Sequence, residues 1–506
     1  MKRIQELVQA CPPGTLRRAL RREGKEGTAS LTYQLYRRLR ERKLDEDAIA
    51  VKLYGAEANR SHGSYRALKT RLSHLLVEAI LEEDVARPSY QTYEDAYEHG
   101  YRQLEVARIL MSKRLYASAR EVASQTFRRV QDFEILPLNT GLTDVLSSLH
   151  LGVAYNEKLF SKYHELYVRY SRASFDLTNI TDHYRQVRNY IYANRLAPAE
   201  IGRIAAEFVE QDRPLMERND GVPAIQTMFT QTEITGLTLR GEYKAAIESA
   251  NRGIVAIERC KGHSVRSLTM LALSRIACTI KLRDFEAGVQ QIEAARKRTP
   301  QGSINDLKIS ELAIKLGLLT GEYVYAYEAL AEVQSRGLKR LLTVAHQEFW
   351  SIIEAYIHLL ILAGALKVDD QSRPLQRFRL NKFLNNVPGN VRNKRGANIQ
   401  VLVLQTVLLI LQHKLDEAMD RVDALSVYCN RYLRDDENLR NNGIFKLLLI
   451  LINANFDTTV AERKAQKTLA AMRGAAERGQ LNDLELVPYE VVWRILLDYL
   501  QPSSRR

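Results

Sequence analysis

Seven cations stand out in this chain. Arg373, Arg377, Arg379, Lys382, Arg392, Lys394 and Arg395 fall between Gln371 and Leu415, a stretch with no acidic residue. The spacing of Arg377, Arg379 and Lys382 suits a helix, and the run VPGNVRNKRGA suits a loop whose guanidinium and ammonium groups reach a phosphate or carboxylate. A second set lies near the start. Arg17, Arg18, Arg21 and Arg22 recur at helical spacing, and Arg66, Lys69 and Arg71 follow on a longer helical pattern where they would face a groove as the reader helix of a helix-turn-helix does. A third set interleaves aromatics with arginines: Tyr184, Arg185, Arg188 and Tyr192. Rings and guanidinium planes so arranged anchor a protein partner, stack on unpaired bases, or pack between helices with snorkelling arginines.

Catalytic and metal templates fail at named residues. In GLTLRGEYK, from Gly236, Glu242 stands where a phosphate-binding loop needs lysine and would repel phosphate. In HELYV, from His164, Val168 replaces the second histidine of a zinc helix. Cys260 and His263 have no second ligand pair nearby, and Glu354 with His358 reads as packing on a helix face. The GKEG loop lacks the apolar flanks of an RNA-clamping loop, since Arg21, Arg22 and Glu23 precede it. No catalytic residue, cofactor or metal is expected.

The elements that must position these side chains follow from a repeat. An aromatic or Leu followed three residues on by a small residue returns at Tyr116, Phe160, Tyr243, Phe285, Tyr323, Leu415 and Phe456. The steps are 44, 83, 42, 38, 92 and 41, so 83 and 92 count as two units each, with the missing anchors near Leu196 and Val368. About 41 residues accommodate two helices and two short turns. The small residues Ala119, Ala246, Gly288, Ala326 and Ala418 mark places where one helix closely approaches the next, a steric role.

The copies GEYKAAIESANRG (Gly241, Tyr243, Ala246, Gly253) and RDFEAGVQQIEAA (Asp284, Phe285, Gly288, Ala295, then Pro300) resemble the tetratricopeptide family over roughly residues 88–480. Tyr163 departs from the pattern, as do units longer than the family's 34 residues. The resemblance implies an all-α fold, a right-handed α-solenoid of about nine antiparallel helix pairs that binds macromolecules on its concave face, and carries no family-wide active site. The run RYLRDDENLRNNGIFKLLLILINANF resembles bacterial helical-repeat proteins and implies no activity. Residues 45–82 resemble the winged-helix end of bacterial activators bearing tetratricopeptide arrays, but strands for a wing are lacking.

The expected organisation is a basic helical module at 1–86, repeats at 87–480 with a break near 219–223, and a capping helix and tail at 481–506. The module should hold helices near Thr15–Arg22, Leu31–Lys43, Asp45–Tyr54 and Ser64–Glu82, and the last helix of the chain should span Val487–Leu500. With 45% hydrophobic residues and only 12 prolines in 506, long helices and a large core are permitted. Cys11, Cys260, Cys278 and Cys429 lie too far apart for a disulfide framework or a CxxC zinc site. MKRIQELVQACPPG has no apolar run of signal-peptide length and the stretch 396–413 is interrupted by polar residues, so a cytoplasmic chain without a membrane partner is expected. A net charge of +14 favours an anionic partner. The expectation is a non-catalytic scaffold holding an acidic peptide or helix in a groove. The alternative, nucleic-acid binding through the basic sets, would show a steep log-linear salt dependence.

Overall fold

The computed structural model describes residues 2–22, 30–41, 45–82, 92–151, 155–193, 196–260, 262–342, 344–368, 383, 397–422, 439–477 and 485–501. Among the described residues every regular element is helical. The chain divides into two compact units, Met1–Val106 and Ala107–Arg506.

The first unit contains α1 (Lys2–Ala10), α2 (Pro13–Arg22), α3 (Leu31–Glu41), α4 (Glu46–Tyr54), α5 (Gly63–Glu82) and most of α6 (Tyr93–Ser112). CPPG separates α1, which the sequence reading missed, from α2, and Pro13 opens α2 where its missing N–H costs nothing. Asp45 caps α4 by accepting from the Ala48 N–H at 2.7 Å, and Glu46 and Asp47 complement the helix dipole. Helix α5 is the centre of this unit, packed on α1, α2 and α3. Its Tyr65, Leu68, Leu72, Leu75, Leu76 and Ala79 recur at helical spacing and are buried together with Leu16, Leu20, Leu35 and Tyr36.

The second unit continues with α7 (Tyr116–Val130), α8 (Leu136–Leu149), α9 (Glu157–Ala193), α10 (Pro198–Arg218), α11 (Pro223–Leu239), α12 (Tyr243–Arg259) and α13 (Val265–Lys281). There follow α14 (Phe285–Arg298), α15 (Ile304–Thr320), α16 (Tyr323–Ser335), α17 (Val344–Leu362), α18 (Ala397–Leu411), α19 (Leu439–Asn453), α20 (Thr458–Glu477) and α21 (Tyr489–Leu500). Residues 415–422 are also helical. From α7 to α16 each helix packs on its sequence neighbours, and α9, α11, α13 and α15 also form a row in which each touches the next. Such short-range, sequential packing is how a repeat array buries its apolar stripes.

The anchors Tyr116, Tyr243, Phe285 and Tyr323 are each the first residue of a helix. Two residues before them the backbone turns left-handed, at Arg114, Gly241, Arg283 and Gly321, and His413 does the same before Leu415. The turn ends the preceding helix: the Leu115 N–H donates to the Leu110 carbonyl, Glu242 to Leu237, Asp284 to Thr279 and Lys414 to Leu409, at 2.9–3.4 Å. This six-residue closure satisfies carbonyls left over at the helix end, and glycine adopts it without strain. Arg114→Gly is therefore expected to raise stability by about 0.5–1 kcal/mol, and Gly241→Ala to lower it by about 1 kcal/mol, in urea unfolding monitored by circular dichroism. A loss on introducing glycine at Arg114 would contradict the strain argument.

The small positions Ala119, Ala246, Gly288, Ala326 and Ala418 are all buried. Among the described residues the helix count departs from the spacing in the stretch around α9. Between Phe160 and Tyr243 lie three helices, α9, α10 and α11, where the spacing predicted four. Residues 157–193 contain neither Gly nor Pro, so nothing stops α9 and it runs 37 residues, with Phe160 inside it.

Candidate functional site

The patch Arg373, Arg377, Arg379, Lys382, Arg392, Lys394 and Arg395 lies outside the described residues. In the first unit, several of the expected nucleic-acid cations are engaged internally. Arg17 donates from Nε and Nη2 to the Tyr33 hydroxyl at 3.1 and 2.8 Å, and its guanidinium lies over the Tyr33 ring. Arg18 reaches Thr15, and Lys69 is paired with Glu46. Arg21, Arg66 and Arg71 are exposed on α2 and α5, and Arg22 closes α2. The turn between α4 and α5 spans residues 55–62.

The third set lies on α9. One face of this helix buries Tyr170, Ala173, Asp176, Ile180 and Val187 against the row. Asp176 fastens it there: Arg218 donates from Nε at 2.7 Å and Asn219 from its amide at 2.8 Å, both to Oδ2. Burial opposes the Asp176 charge, but these bonds outweigh it and hold the carboxyl below its usual range. On the same helix His183 stacks on Phe208 with ring centres 4.2 Å apart, and its Nδ1 lies in hydrogen-bond contact with Oδ1 of buried Asp212 at 2.8 Å. Burial pushes the Asp212 carboxyl up.

The opposite face of α9 is open. Tyr192 is 74% exposed, Phe175 66% and Val168 39%. Arg172 and Arg185 are also exposed, while Tyr184 and Arg188 are half-buried. Arg188 donates to the Tyr192 hydroxyl at 2.5 Å, with its guanidinium 4.9 Å from the ring centre. Two of the four expected groove residues are thus brought together as a preformed pair. At 1.5 Å per residue the helix is about 55 Å long, so this ridge offers a long contact line. Phe175 and Val168 were not singled out in the sequence, although Tyr167, Arg169, Tyr170 and Arg172 surround them with the same alternation of aromatics and arginines; their seven-residue separation is a further signal.

A cleft of about 350 Å³ opens between α13 and α15. Leu273, Ala277, Ile280, Leu312 and Leu319 supply apolar walls, and Lys281, Arg283, Lys308 and Lys315 supply positive charge. Lys308 and Lys315 are shared by Glu311, which lies beneath them and is only 6% exposed, at 2.8 and 3.0 Å. Burial raises the Glu311 carboxyl, but the two ammonium groups prevail and hold it below its usual range. Lys315 also sits 4.5 Å from the Phe349 ring centre. Glu485 closes one side, and its charge is answered by Arg440, Nε to Oε2 at 2.8 Å, and by the Tyr489 N–H at 3.0 Å. Ser274 is held by the Gln231 amide at 3.2 Å, so its hydroxyl is not paired with a base. This arrangement places positive charge beside apolar walls; among the residues lining it no nucleophile is matched with a general base.

Among the described residues no three or more His, Cys, Asp or Glu side chains converge to hold a metal ion. No helix of the described residues is long and apolar enough to cross a membrane. Compared with protein-family models, with curated proteins and with solved structures, the chain matches none.

Proposed function

We propose that this protein is a non-catalytic interaction scaffold. In this reading the second unit is a right-handed α-solenoid of antiparallel, tetratricopeptide-like helix pairs, modified by the long α9, and its partner is a protein segment of acidic character. The observation that carries the reading is the open face of α9, where Val168, Phe175 and Tyr192 stand exposed among Arg172, Arg185 and Arg188. Exposed aromatics beside arginines are the residue types that anchor protein interfaces, and the seven-residue separation of Val168 and Phe175 suits an amphipathic helix laid alongside. The arginines select acidic side chains, and the cations of 373–395 add to that bias by sequence.

Nucleic acid is the competing partner, favoured by exposed Arg21, Arg66 and Arg71. Affinity capture of the full chain from its native cells, with and without nuclease, separates the two. A protein set that survives nuclease, and is lost from the triple variant Phe175→Ala, Arg185→Glu, Tyr192→Ala, is the expected result. Loss of about 2 kcal/mol or more, some thirtyfold in affinity, is expected for that variant if these side chains are the anchors. Recovery of nucleic acid alone, or a partner indifferent to the triple variant, would reject the reading.

A further inference from the structure

We propose that the cleft between α13 and α15 is a separate small-molecule site that takes an organic acid with an apolar body, such as a medium-chain carboxylate. The volume of about 350 Å³ is at the lower end of ligand pockets and suits one compact molecule. The walls are apolar along Leu273, Ile280 and Leu312, which favours a hydrocarbon body over a sugar or nucleotide.

The charge at the rim is the second argument. Lys281, Arg283, Lys308 and Lys315 all line the cleft. Glu311 answers one of the two lysines it shares, and Glu485 and Glu490 share Arg440, so that even without Lys281 the four cations Arg283, Lys308, Lys315 and Arg440 face three carboxylates. The balance is positive beside an apolar slot, which is complementary to a carboxylate and repels an amine. Glu485 reaches the cleft from the far end of the sequence and walls it on a side that an extended peptide would need open. A slot of this size fits a free acid, and the macromolecular partner belongs to the α9 ridge.

Calorimetric titration of the full chain with octanoate, octylammonium and octanol tests this directly. Octanoate is expected to bind saturably, octanol more weakly, and octylammonium not at all. Ala277 is exposed, so Ala277→Trp should plug the mouth without entering the core and abolish octanoate binding. Lys308→Gln, which leaves the walls intact, should weaken octanoate about tenfold. Circular dichroism establishes that each variant is folded; if the tryptophan variant is not, Ala277→Leu with Lys308→Gln takes its place. No saturable octanoate binding, equal binding of octylammonium, or undiminished binding in the folded variants would overturn the proposal. Because neither substitution touches α9, capture of the protein partner should be unchanged, so failure here and failure of the scaffold reading are told apart.

Discussion

Replacing Arg440 by methionine is expected to destabilise the second unit by about 3–5 kcal/mol. Arg440, at the start of α19, is 3% exposed. Its Nε donates to Glu485 Oε2 at 2.8 Å, Nη1 to the Met472 carbonyl and to Glu490 Oε1, both at 2.8 Å, and Nη2 to Glu490 Oε2 at 2.8 Å and also to Glu485. All five guanidinium N–H groups are therefore used, in two forked contacts that join α19 to α20, to α21 and to the residues before it. Burial opposes the Arg440 charge, but the two carboxylates outweigh it and hold its pKa above the ordinary arginine value. Without the guanidinium, Glu485, 2% exposed, would be a buried charge with no counterion, and that penalty is the main cost. Arg440→Lys should recover little, because an ammonium cannot fork to two carboxylates. The triple change Arg440→Met, Glu485→Leu, Glu490→Gln should recover most of the loss, since no charge then remains to be desolvated. Urea unfolding together with amide exchange of α19, α20 and α21 reads the effect. A loss under about 1 kcal/mol for Arg440→Met would show that the network contributes nothing net.

Next to it lies a second buried network without charge. The Tyr356 hydroxyl donates to Gln400 Oε1 at 2.9 Å, Gln400 donates to the Tyr489 hydroxyl, and Tyr489 donates to Asn441 Oδ1 at 2.8 Å. Burial pushes the phenols of Tyr356 and Tyr489 far above the usual tyrosine value, so both stay protonated donors. The two networks fix how α17, α18, α19 and α21 meet, where Trp350, Val407, Leu448 and Trp493 alone would permit several packings.

Gly317→Ala is the second large expectation, a loss of about 3 kcal/mol despite the higher helix propensity of alanine. A Cβ at this position of α15 would stand 2.7 Å from the Glu322 carbonyl oxygen, 2.9 Å from the Ala326 nitrogen and 2.9 Å from the Ala326 Cβ. Two of these three atoms are backbone at the start of the next helix, so relief requires moving α16 against α15. Gly288→Ala is the control. Its added Cβ would meet Leu316 Cδ2 at 2.6 Å, the end of a side chain that can change rotamer, and a loss of about 1 kcal/mol is expected. Equal losses in the two variants, by thermal unfolding, would mean that close backbone approach is not what Gly317 serves.

These two sites differ in how far the sequence announces them. The small residue after each aromatic was legible because the motif recurs, and the burial of Ala119, Ala246, Gly288 and Ala326 follows from it. Gly317 carries no such mark, since it lies on the helix that the motif packs against. The Arg440 network is less legible still. Arg431, Arg434 and Arg440 look alike in RYLRDDENLR, and only pairing with residues 45 and 50 positions away singles out Arg440. The α9 ridge was half legible: Tyr184, Arg185, Arg188 and Tyr192 are local and periodic, whereas Phe175 looks like any core phenylalanine until its face is known.

The sequence by itself determined the helical architecture and marked Tyr116, Tyr243, Phe285 and Tyr323 as anchors of a recurring unit, because periodicity acts within a few residues. Tertiary structure alone decided which helix face stays open on α9, that Lys281 and Arg283 share a cleft with Lys308 and Lys315, and that Glu485 closes it. Those outcomes depend on desolvation and Coulomb energies between groups up to some two hundred positions apart, and such energies exist only once packing has brought the groups together.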